Sequence, residues 1–110
     1  MPVAIESSGT QAATVGTEHD LATPTSAGVR VLDVDTVNMV SGDEVELRIK
    51  KKVLSGGTIR VLYYVRYVGA QATDNLIKTS IPVPSEHGIT VTLKQTAGTS
   101  RNFPWAVLTL

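Results

Sequence analysis

The stretch that decides the fold is D-E-V-E-L-R-I-K-K-K-V at residues 43–53. Val45, Leu47, Ile49 and Val53 share one parity, while Glu44, Glu46, Arg48, Lys50 and Lys52 share the other. Side chains of a strand point alternately to opposite faces, so this run predicts an amphipathic strand with one face toward a core and one toward water. Leu54-Ser55-Gly56-Gly57 follows, a turn whose glycines are expected to supply positive φ, and it leads into T-I-R-V-L-Y-Y-V-R-Y-V at residues 58–68. The two runs together predict one long antiparallel hairpin.

The second run is apolar on both parities. Ile59, Val61, Tyr63, Val65 and Tyr67 lie on one side, and Leu62, Tyr64 and Val68 share the other with Arg60 and Arg66. Such a strand is either central in its sheet or has an outer face covered by a partner. Tyr63, Tyr64, Tyr67, Arg60 and Arg66 are therefore the candidate subunit contacts.

Outward from the hairpin, the pattern stays β. Residues 29–35 (VRVLDVD) form a strand after the breaker cluster TPTSAG, and residues 76–81 (LIKTSI) form a short one stopped by Pro82 and Pro84. Residues 89–94 (ITVTLK) alternate, with Ile89, Val91 and Leu93 inward and Thr90, Thr92 and Lys94 outward; residues 103–110 carry the only Phe and the only Trp. Turns at regular spacing predict an all-β fold, a single antiparallel sandwich of about six to eight strands, immunoglobulin-like or jelly-roll. Residues 1–16 are small and polar and read as a flexible arm preceding a domain at 17–110, with Val3 and Ile5 as candidate arm contacts. The other reading of that segment is that Val3 to Ile5 or Ala12 to Val15 pairs as a short edge strand of the same domain.

Composition narrows the function. The 110 residues carry 10 basic and 10 acidic side chains, so no net field steers the chain to nucleic acid or an anionic membrane. There is no Cys, which removes disulfides, thiolate chemistry and cysteine-containing metal sites. No stretch reaches the roughly 20 apolar residues of a membrane span, and no signal-peptide pattern is seen, so a soluble, non-exported protein is expected. His19 and His87 sit beside turns without metal-ligand spacing, and Asp33, Asp35, Asp43 and Glu44 lack the calcium-loop pattern. No nucleophile elbow or phosphate loop is present. A basic ribbon of Arg48, Lys50, Lys51, Lys52, Arg60 and Arg66 is broken by Glu44 and Glu46. The residues point to a non-enzymatic protein without cofactor or metal.

Three stretches, GTEHDLATPT at 16–25, VELRIKKKVLSGGT at 45–58 and LKQTAGTSRNFPWAVL at 93–108, resemble small virion proteins of tailed bacteriophages. That resemblance implies a structural part of the phage particle, made in the host cytoplasm. A capsid decoration (cement) protein comes first, with the major capsid protein or other virion proteins as partners and a trimer or dimer as its state. The alternatives are a tail or neck component, or a carbohydrate- or receptor-binding module in which Trp105 or Tyr67 stacks on sugar. For Trp105 the competing reading is a core anchor.

Overall fold

A computed structural model describes residues 3–110, and its nine strands follow the alternation of the sequence. They are β1 (Ala4–Ala12), β2 (Glu18–Ala22), β3 (Gly28–Asp35), β4 (Glu44–Lys51), β5 (Arg60–Val68), β6 (Ile77–Thr79), β7 (Val83–Ser85), β8 (Thr90–Ala97) and β9 (Asn102–Thr109). A 3-10 turn at Thr73–Asn75 precedes β6. One sheet runs β1-β9-β3-β6, with β7 pairing the other end of β3, and the second runs β2-β8-β4-β5. Every pairing is antiparallel.

The pairings nest. β4 pairs β5, β3 pairs β6 and β7, β2 pairs β8, and β1 pairs β9, as if one long hairpin had been folded over so that its rungs alternate between two sheets. The pairs β3·β9 and β4·β8 then close each sheet. This is jelly-roll topology, and it sets aside the immunoglobulin-like alternative, whose sheets group other strands. The nine-strand count exceeds the expected range because the strand opposite β3 is split into β6 and β7 around Pro82.

Between the sheets lie Leu32, Val34, Val45, Leu47, Ile49, Val83, Ile89, Val91, Leu93, Phe103 and Val107, all buried. The molecule measures 41 × 31 × 18 Å, a slab whose least dimension fits two sheets about 10 Å apart with their side chains. Expected inward positions of β4 and β8 are met, with Val45, Leu47, Ile49, Val91 and Leu93 each at most 2% exposed. Val53 departs from its parity set: β4 stops at Lys51 after a bulge at Ile49/Lys50, and Val53 is 81% exposed in the connecting loop. Thr92 is buried although it faces outward, because β8 is flanked by β2 and β4.

Two further expectations are corrected. Gly56 and Gly57 do not have positive φ; Gly57 N–H simply donates to Leu54 O at 2.9 Å, and the wider loop at 52–59 lets the chain reverse without the left-handed region. The segment read as an arm is, from Ala4 to Ala12, an edge strand, as the alternative reading had it in kind but longer than either stretch it named: it pairs with β9 from Ala4↔Thr109 to Ala12↔Asn102. The sandwich therefore begins at Ala4 and not at residue 17. Its inner side chains Ser7, Gly9 and Gln11 are polar or absent, and the indole of Trp105 lies against Gly9. Met1 and Pro2 lie outside the described residues.

Polar groups lock both ends of the slab. At one end, Arg30 of β3 is 1% exposed; its Nε donates to Glu6 Oε2 at 2.8 Å and its Nη atoms to Ser26 O and Oγ. At the other, buried Asp43 accepts from Val40 N, Thr99 N and Arg101 Nε, while buried Gln95 ties Ala97, Thr99 and Arg101. Burial repays only when such groups are partnered, and here they are.

Candidate assembly interface

The hairpin read from the sequence exists, but its second strand is not central. β5 ends its sheet, with β4 on one side and nothing on the other among the described residues. Register fixes which side chains face where. Tyr63, Val65 and Tyr67 oppose Ile49, Leu47 and Val45 and turn toward the interior, where they are half-buried. Tyr64 and Arg66 oppose Arg48 and Glu46 on the outer face. Of the five candidate contacts, two tyrosines thus point inward, while Tyr64, Arg66 and Arg60 are exposed, so the five do not form one patch.

A bulge at Leu62 shifts register between the pairs Ile49↔Tyr63 and Lys50↔Val61. Its effect is to bring extra apolar area to the surface. Val61 is 48%, Tyr64 49% and Val68 60% exposed, and Leu62 and Ile59 are exposed beside them. Val3 and Ile5 are exposed as well, Ile5 next to Leu108 on the outer face of the first sheet.

Around this apolar strip the charges are matched. Glu46 accepts from Tyr64 Oη at 2.8 Å and pairs with Arg48 at 2.9 Å, Arg66 pairs with Glu44, and Lys50 with Glu18 at 2.8 Å. The Arg48 guanidinium stands 4.9 Å from the Tyr64 ring centroid, a cation–π contact. The Tyr64 hydroxyl lowers the Glu46 carboxyl from its ordinary value, and Glu46 in turn pushes the Tyr64 phenol up. Lys50 likewise holds Glu18 below the usual carboxylate range. The basic ribbon considered in the sequence is therefore interleaved with acids. Such exposed pairs contribute little individually, about 0–1 kcal/mol, but they leave the outer face without a net basic field.

The remaining candidates take structural places. His19 Nε2 accepts from Thr14 N at 3.0 Å, and Trp105 packs against the core, as the anchor reading had it. Asp33 Oδ1 accepts from Thr79 Oγ1, and Asp35 Oδ1 caps the turn at Val37 N. Among the described residues no three of His, Asp and Glu gather as a metal site would need, and no helix is long and apolar enough to cross a membrane. Lys78 was not singled out in the sequence. Its side chain turns inward from β6 and its ammonium lies 4.7 Å from the Tyr67 ring centroid; burial, then Tyr63, pushes the Tyr67 phenol up.

No protein-family model matches the chain, and no curated protein or solved structure is detectably similar to it.

Proposed function

We propose that this chain is a non-enzymatic structural protein of a phage particle, a capsid decoration protein that stabilises the head through contacts between subunits. The observation that carries the reading is β5, a nine-residue edge strand with an exposed strip of aliphatic and tyrosine side chains. A long, apolar, unpaired edge is what a monomeric protein avoids and what an assembling one uses. Two further points support it. The three stretches that resemble phage virion proteins include all of β2 and most of β4 and β9, and the jelly roll is a fold shared by viral capsid and lectin domains. Fold alone assigns no function, so the weight rests on the surface.

A ligand that binds only the folded lattice stabilises it by mass action. Empty capsids mixed with the purified protein are expected to sediment with it and to break open at a higher temperature than capsids alone. Failure to co-sediment overturns the decoration role; co-sedimentation with tails or necks would move the protein to that part of the particle.

A further inference from the structure

Among the described residues, four strand positions end the two sheets, and three of them are blunted. β1 carries a bulge at Ile5/Ser7 and a glycine at its centre, and β2 has five residues with a bulge of its own. β6 and β7 have three residues each, are interrupted by Pro82 and Pro84, and β6 turns Lys78 inward. Short strands, bulges, prolines and inward charges are the devices that keep edges from pairing. β5 has nine residues, no proline and no glycine, and its bulge lies at one end.

The ladder phase shows what β5 offers. Gly69 N donates to Asp43 O at 2.7 Å, continuing the register Glu44↔Val68, so Tyr63, Val65 and Tyr67 direct their backbone groups to β4. Tyr64 and Arg66 direct theirs, N–H and C=O alike, to the open side. We infer that two copies of this chain join β5 to β5, antiparallel about a two-fold axis at Val65, so that two four-stranded sheets become one continuous sheet.

The side chains choose that centre. Directly opposed residues in an antiparallel pair lie on the same face and interact. A two-fold axis at Tyr63 sets Arg60 against Arg66, and one at Arg66 sets that residue against its own copy; both oppose like charges. An axis at Tyr64 leaves Arg66 facing Leu62. At Val65, each Arg66 faces a Tyr64 ring, each Leu62 faces Val68, and Tyr64 and Arg66 exchange four backbone hydrogen bonds across the axis. On the inner side, Tyr63, Val65 and Tyr67 lose their remaining contact with water. This interface is isologous, with the same patch used by both copies. It rests on the assembly reading above and names the partner as a second copy.

Sedimentation at tens of micromolar is expected to give twice the 11.7 kDa of one chain. Arg66→Pro removes an outward N–H together with the exposed pair to Glu44, whose loss costs the fold little, so circular dichroism should stay native while dimerisation weakens about tenfold or more. Because the chain has no Cys, single cysteines report the register. Val65→Cys places two sulfurs across the axis, in a non-hydrogen-bonded pair about 4.5 Å apart at Cα, within disulfide reach, and should cross-link on oxidation. Tyr64→Cys should not. Cross-linking through Tyr64→Cys alone, or a dimer indifferent to Arg66→Pro, overturns the proposed pairing. A monomer that still protects capsids overturns the two-fold dimer while the decoration reading stands; a dimer that ignores every part of the particle does the reverse.

Discussion

Asp43→Ala is expected to destabilise the protein by about 3 kcal/mol or more, lowering its melting temperature by roughly 12 °C or more. Asp43 is 1% exposed and is the acceptor for three donors from two separate segments: Val40 N at 3.0 Å, Thr99 N at 3.2 Å and Arg101 Nε at 2.8 Å. Alanine leaves two backbone N–H groups and a guanidinium unpartnered at once, and an unsatisfied buried donor costs about 1–3 kcal/mol. The acid limb of stability carries the same residue. Burial alone would raise the Asp43 carboxyl, but the Val40, Arg101 and Thr99 donors outweigh it and hold the group below its ordinary value. A carboxyl lowered in the fold contributes stability that is fully present above its unfolded value, near pH 4, and is lost as pH falls through the folded one. Thermal melts between about pH 6 and 2 should therefore drop steeply for the native chain and less steeply for Asp43→Asn. Parallel curves would show that Asp43 titrates alike in both states.

Gly88→Ala should cost about 3 kcal/mol or more, and Gly16→Ala only about 1 kcal/mol. Both glycines have φ near the left-handed region, at +82° and +89°, where a Cβ costs roughly 1–2 kcal/mol. They differ in their surroundings. A Cβ on Gly88 would fall onto the carbonyl oxygen of Pro24 and 2.7 Å from Thr25 Cα, whereas nothing lies within 4 Å of the same position on Gly16. The obstacle at Gly88 is backbone, and yielding would break the 3.0 Å bond from Ile89 N to Pro24 O that ties two loops. Overpacking of this sort adds about 1–3 kcal/mol. Paired denaturant titrations separate collision from conformation, and equal losses at the two sites would discount the close approach.

Strands were legible wherever apolar alternation met a packed neighbour on both sides. β4 and β8 are interior to their sheet, so their buried faces had to be continuous, and Val45 to Ile49 and Ile89 to Leu93 show it. β1 was legible only as one of two readings, because Ser7, Gly9 and Gln11 on its inner side contribute almost no apolar pattern; the partner strand β9 supplies Trp105 to cover the gap. β7 was hidden by Pro82 and Pro84, which are tolerated because that strand is at an edge. In residues 29–35 apolar residues occupy both parities, so nothing in the sequence told that Arg30 goes inward with Leu32 and Val34. The candidate interface was found as a strand, and its two faces were sorted from Tyr63 to Val68, but the contacts were drawn from both faces and Val61 was assigned to the inner set, because the bulge at Leu62 and the edge position of β5 are products of pairing. Asp43 meets Arg101 across 58 residues, a distance at which local patterns are silent.

The folded-over hairpin also orders events in time. The β4–β5 rung is closed by the loop at 52–59, whereas the β1–β9 rung joins residues as far apart as Ala4 and Thr109. Loop-closure entropy grows with the length of chain enclosed, so rungs form most readily from the tip outward, each shortening the loop left for the next. The outermost rung closes last and, having few apolar side chains on β1, is held least tightly. Pulsed hydrogen exchange should show the amides of β4 and β5 protected before those of β1, and the reverse order would place the nucleus at the chain ends. A strand that arrives last spends the longest time, during synthesis, as free backbone beside a sheet already made.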